Sequence, residues 1–424
     1  MPQDLQIELT SAPAPAALAT EWTALEARAQ HSFFVSWTWI GAWLSALPSG
    51  LRPCLLRARR GQRVVGLALF VPGRDRTLPL IGGRALWLHA TGRPELDAIA
   101  IEHNGPLVDA NEPDVAQAML DYLCRRMGPW RRVTLPHLQS AAAGAPAASA
   151  GVSARRDDVA SWLVDLHAVR TSPSGYVGLL QAKTRYAIRR TRMACEALGP
   201  IRLTVAEGRA AVQEAMPRLL RLHARRWQRR EGGSSFLLPF TQRFHDRLLP
   251  SACERGEVQL LSVTVGPHEL GHLYSFVHRG RVSFYQSGVD YELLGPKMSP
   301  GLLMLALAIE HNAALGHQAF DLLGGTSHYK KDLATYQETL STVVLERHDW
   351  RLALETHLRA RVVPWLRRAS GDAPDWRRWL RTWLGRIGLG LSLGVLALAV
   401  DACSDEDDAA IAARGAAQTV HATR

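Results

Sequence analysis

With 424 residues, 47% of them hydrophobic and 21% charged, the chain is globular in composition and long enough for two or three domains. Fifty basic against thirty-nine acidic residues leave a net charge of +11, which favours phosphates, acidic sugars, nucleic acid or anionic lipid without choosing among them. The five cysteines, Cys54, Cys124, Cys195, Cys253 and Cys403, are far apart and form no Cys-x-x-Cys pair, which argues against a disulfide framework or a zinc site; residues 1–30 show no secretory signal, so a cytoplasmic location is expected.

Along the chain, strands are predicted over 53–59 and 63–70, a helix over 113–127 and a strand over 131–135, together one small α/β module. Residues 140–151, rich in Ala, Gly, Pro and Ser, read as an exposed loop or a short linker. A helix over 176–198 places Leu179, Ala182, Tyr186, Met193 and Ala197 on its apolar face, and Arg185, Arg189 and Arg192 side by side on the neighbouring face, where they suit an anion or simply meet solvent. A second module follows, with strands at 201–206, 257–265 and 270–278, helices near 210–230 and 239–254, and a last strand near 339–346. The expected fold class is therefore α/β (α+β), with one central mixed sheet per module flanked by helices. The division is 1–165, 166–348, a basic tryptophan-rich helical appendix over 349–400, and a disordered tail over 401–424.

Within the second module, 282–288 alternates as a half-buried strand, and Ser299, Pro300 and Gly301 then open a helix whose apolar face runs to a stop at Gly316. Its free amides can hold a phosphate, and Gly301 has no side chain to block a ligand, although such starts also occur without ligands. A short strand over 318–323 carries Asp321, and His328, Tyr329, Lys330 and Lys331 follow it. For acyl transfer to an amine, Tyr329 is the candidate acid, and Asp321 or Asp290 the base or the ammonium site; each also has an ordinary packing role open to it. Tyr285 and Gln286 alternate on their strand, so one of them faces a cleft; Trp227 among its arginines suits an acidic sugar or a core position. Neither a Gly-x-Ser-x-Gly elbow nor a His-Glu-x-x-His pair is present. The uncharged run over 387–400 is short for a membrane span, so 350–400 lies either in a membrane interface or as a helical cap; no nucleic-acid motif accompanies the charge.

The segments SFYQSGVD at 283–290, SPG at 299–301, FDLLGG at 320–325 and HYKKDL at 328–333 resemble the GNAT-superfamily acetyltransferases associated with cellulose and exopolysaccharide biosynthesis. The likeness continues upstream through FFVSWTWIGAWLSAL, RRGQRVVGLALFVP, ELDAIAIEHNGPLVD, KTRYAIRRTRMACEALG and LHARRWQRREGGSSF, and covers about 30–348. The resemblance implies tandem GNAT-like modules akin to the Fem-type transferases, with acetyl-CoA or another acyl-CoA as co-substrate, no metal, and a small-molecule or glycan amine as acceptor. It implies an acyl-CoA pocket in the second module; with the residue readings above, the candidate coenzyme contacts are Lys297, Ser299, Gly301, Leu302 and Lys330, and the candidate acceptor contacts Tyr285, Gln286, Trp227, Arg185 and Arg189. The usual phosphate loop, Arg/Gln-x-x-Gly-x-Gly/Ala, is replaced here by Lys297-Met-Ser-Pro-Gly301.

Overall fold

The computed structural model describes residues 4–74, 83–126, 130–139, 151–228 and 233–347. The basic appendix, the tail and nearly all of the 140–151 loop expected above lie outside them. In the first half the elements are β1 (Leu5–Ser11), α1 (Pro15–Glu26), α2 (Trp37–Ala46), β2 (Cys54–Arg60), β3 (Arg63–Arg74), β4 (Arg84–Leu88), α3 (Pro94–Asp97), β5 (Leu107–Val108), α4 (Val115–Arg125) and β6 (Arg132–Gln139). Then come β7 (Val152–Asp165), α5 (Leu166–Thr171), α6 (Gly175–Leu179), α7 (Ala182–Glu196), β8 (Ile201–Val205), α8 (Gly208–Trp227), α9 (Pro239–Glu254), β9 (Val258–Val265) and β10 (His268–His278). Finally β11 (Arg281–Val289), α10 (Pro300–Ala314), β12 (Ala319–Gly324), α11 (His328–Leu333) and β13 (Tyr336–Arg347) complete the described chain.

Among the described residues these strands form one continuous mixed sheet in the order β1-β2-β3-β4-β6-β13-β7-β12-β11-β10-β9-β8, with β5 against β3. Each half contains one parallel pair, β4 with β6 and β11 with β12, and the other pairings are antiparallel. The closing strands are exchanged: β7, which follows β6 in the chain, pairs with β12, whereas β13, which follows β12, pairs with β6. β7 and β13 then pair with each other over twelve residues and join the halves. The boundary expected after residue 165 thus falls at the end of a strand whose ladder neighbours are β12 and β13.

Local chemistry accounts for the elements. The Ser36 hydroxyl accepts from Trp39 N at the start of α2, Pro239 opens α9, and Gly316 stops α10 with φ +85°. One face of the sheet carries a core common to both halves, in which Trp22, Trp39 and Phe34 pack with Phe244, Tyr274 and Phe276. On the other face, α4 covers the first half, and α5, α6, α7 and α10 cover the second.

The helix expected over 176–198 is two helices, α6 and α7, and the face of α7 is reversed. Its buried residues are Thr184, Ile188, Thr191 and Cys195, whereas Tyr186 is 64% exposed and Met193 69% exposed. Apart from Ile188, the buried positions carry small side chains, which let α7 lie close to α10; the larger apolar stripe faces outward.

Candidate active site

β11 and β12 share only three rungs, Arg281 with Ala319, Val282 with Phe320 and Ser283 with Asp321. Beyond Ser283, β11 stays on β10 as far as Val289, and β12 stays on β7 to Gly324, so the two parallel strands part. A β-bulge at Tyr285 sharpens the bend, since Tyr274 opposes Gln286 and Ser275 opposes Phe284. Residues 285–287 are half-exposed although β11 is an internal strand. On the other wall Leu323 holds φ +64°, an unfavourable conformation for a branched side chain, and the β12–β7 ladder breaks between Asp321 and Gly324.

The parted strands lead to the amino end of α10. Ser299 makes no side-chain cap there; its amide instead donates to Thr191 Oγ1, and its carbonyl accepts from Leu302 and Leu303. A Cβ at Gly301 would stand 3.0 Å from Tyr291 Oη, and the Arg226 guanidinium lies over the Tyr291 ring at 4.0 Å. Lys297 is exposed, and its carbonyl accepts from Arg190 on α7, which fixes the loop before the helix. A helix start without its own side-chain cap, with a glycine in its first turn and cations nearby, can hold an anion.

The vertex of the cleft is a buried ionic cluster. Asp321 Oδ2 lies 2.8 Å from His103 Nε2 and 3.4 Å from Arg281 Nη1, and its Oδ1 accepts from Ser161 Oγ and Leu323 N. Burial works against its charge, but His103 and Arg281 hold the carboxyl below the usual carboxylate range, and Asp321 in turn raises His103 against the effect of burial. Glu338 on β13 completes the cluster through Arg281 Nη2 at 2.7 Å.

The other expected residues are placed as follows. Tyr329 is on α11, its phenol pushed up by burial and by Tyr291, with Arg226 opposing. Lys330 turns inward: Nζ donates to Gly324 O at 2.6 Å, and burial lowers its pKa against Glu102 and Asp321. Asp290 accepts from the amides of Glu292 and Leu293 and faces Arg225 at 3.8 Å. Tyr285 donates its hydroxyl to Ile99 O at 2.8 Å, Gln286 is half-buried beside it, and Trp227 is half-buried against His223. Arg185 bonds Gly178 O and Leu180 O, Arg192 pairs with Glu310, and Arg189 is exposed. The first half also reaches the cleft, with Glu102 accepting from Gly324 N at 2.5 Å. His103, Glu102, Arg281, Glu338 and Tyr291 carry no local sequence signal, because their meeting depends on the strand exchange and on the loop before α10.

Residues 182–331 match the family model of the acetyltransferase (GNAT) domain. No curated protein sequence matches the chain. Among solved structures it is similar to FemX, at 11% identity and TM-score 0.52, over 82% of this chain and 99% of that one. It is also similar to the C-terminal domain of a putative lysylphosphatidylglycerol synthetase from Agrobacterium fabrum, at 13% identity and TM-score 0.48, over 81% and 97%. A tandem GNAT protein from the clavulanic acid biosynthesis pathway gives 13% identity and TM-score 0.40, over 80% and 98%. At such identities FemX shares the fold alone. The matched residues run from α7 into α11 and so include both walls of the cleft. Among the described residues no group of His, Cys, Asp and Glu could hold a metal ion, and no helix is long and apolar enough to cross a membrane.

Proposed function

We propose that the chain transfers an acyl group from an acyl-CoA thioester, acetyl-CoA first among them, to an amine on a small molecule or glycan such as an amino sugar. The observation that carries this is the parting of β11 from β12 beside the amino end of α10, where Gly301 leaves room for the Tyr291 hydroxyl. The half-exposed backbone of β11 past Ser283 can bond an extended pantetheine arm, and the α10 start can take a phosphate. Lys297, Gly301 and Leu302 are the residues that would hold the coenzyme, with Arg226 and Tyr291 beside them. Tyr329 stays protonated at neutral pH, and as a hydrogen-bond donor suits the leaving thiolate. Holding thioester and amine together supplies much of the acceleration, so no covalent intermediate is needed.

Calorimetric titration with acetyl-CoA tests the pocket. Wild type is expected to bind, and Gly301→Trp, whose side chain must displace Tyr291, is expected to lose binding by at least about tenfold, roughly 1.4 kcal/mol. Equal affinity in the variant would remove the coenzyme from this helix end. The outward basic face of α7, with Lys183 and Arg189 exposed, favours a second reading in which a Fem-type transferase takes its acyl group from aminoacyl-tRNA. Turnover with acyl-CoA by nuclease-treated protein would count against it. Membrane contact through 350–400 is proposed on composition alone.

A further inference from the structure

Both aspartates expected as the base are engaged within the fold. Asp321 is enclosed with its partners, and Asp290 accepts two loop amides. A different pair lies beside β11. His223 on α8 and Ser234, which follows α8, are 3% and 9% exposed, and His223 Nε2 is 2.7 Å from Ser234 Oγ. His223 Nδ1 is 2.8 Å from the Ser287 carbonyl, on β11, four residues past the last rung shared with β12.

A carbonyl can only accept, so Nδ1 carries the ring proton and Nε2 is the acceptor; the Ser234 hydroxyl therefore donates to it. Ser234 Oγ also accepts from Phe236 N at 3.2 Å, which fixes its rotamer. Phe236 and Trp227 pack at 5.5 and 5.8 Å from the imidazole. A hydroxyl aimed at a bare imidazole nitrogen, with the ring oriented by a third group, has the geometry a proton relay needs.

Building on the acyltransferase reading, we propose that Ser234 and His223 form the relay that removes the proton from the acceptor ammonium. The amine gives a proton to Ser234 Oγ while the Ser234 proton passes to His223 Nε2. The freed lone pair forms the N–C bond as the C–S bond breaks, and the second amine proton leaves with the sulfur as CoA thiol. His223 returns its proton to solvent. Burial, with Arg226 acting in the same direction, keeps the ring neutral at pH 7 and so able to accept. Arg226 lies on the same helix as His223; β11 presents the Ser287 carbonyl, and the turn after Ser234 presents Phe236.

The test measures thiol release from acetyl-CoA with glucosamine as probe amine, across pH, together with acetyl-CoA affinity. His223→Asn retains a donor for Ser287 O but has no basic nitrogen. It is expected to lower kcat by about 100-fold or more with acetyl-CoA affinity unchanged, and to abolish the acid limb of the kcat–pH profile. Should that variant fail to fold, Ser234→Ala, which removes one oxygen, is expected to lower kcat comparably. Turnover within about threefold of wild type in either folded variant, or an acid limb that persists in His223→Asn, overturns the relay. Wild type that binds no acetyl-CoA, or releases no thiol to the amine, overturns the acyltransferase reading and the relay with it.

Discussion

Asp321 is fully enclosed on β12 and still carries charge, because a carboxylate between His103 and Arg281, with Ser161 and Leu323 N on its other oxygen, replaces the water it gave up. One of its cations comes from the first half of the chain and one from the second, so this side chain both ends the β11–β12 ladder and ties the halves. Asp321→Ala is expected to cost about 3 kcal/mol, since it leaves the buried His103 without the partner that holds its proton, and Ser161 and Leu323 N without their acceptor. Urea unfolding at pH 7 checks this, and a loss below about 1 kcal/mol would mean that the cluster is not held by its charges. The sequence marks Asp321 as an acid in an apolar strand in need of a partner. It does not show that the partner is His103, more than two hundred residues earlier.

At the scale of elements, the two parallel pairs have opposite fates. β4 and β6 also share only three rungs, from Ala85 with Arg132 to Trp87 with Thr134, but there the chain fills its own gap. Asn104 Nδ2 donates to Leu88 O and Pro136 O, its Oδ1 meets His89 Nδ1, and its backbone bonds His137 O and Gln139 N. The first cleft is thus closed by Asn104, whereas in the second residues 285–287 of β11 stay half-exposed. One acyl-CoA per chain is therefore the expected calorimetric stoichiometry, and two equivalent sites would contradict the plug. Elements set by local pattern were legible: the alternation over 282–288 is β11, the SPG start is α10, and the four strands on either side of α8 and α9 lie near their expected bounds. The outward face of α7 was not, because helical periodicity groups residues by face without saying which face a neighbour covers. The plug was invisible for a similar reason, since the side chain and backbone of Asn104 meet residues distant in the chain, which local pattern does not encode.

Over the whole molecule, the exchange of β7 and β13 makes each half depend on the other for its last strand, so a disturbance in either is expected to unfold both together. The buried histidines supply such a disturbance on both sides of the seam. Burial pushes His31 and His89 in the first half down to about 4, and His245 in the second down to about 3. In the folded chain these rings stay neutral at a pH where the unfolded chain protonates them. Because their folded values are depressed, stability is full above their unfolded value of about 6.5 and is lost as pH falls from there towards 4. Asp321, Asp109 and Glu257, whose values are lowered, add to the loss at the acid end of this window. Asp97, raised to about 6, Glu26 and His103 oppose it, but they do not match three strongly depressed histidines. The urea midpoint is expected to drop between pH 7 and pH 5, in a single transition shared by tryptophan fluorescence and far-ultraviolet circular dichroism. A midpoint unchanged over that range would mean that the histidines are hydrated in the folded state, and two separated transitions would mean that the exchanged strands do not couple the halves.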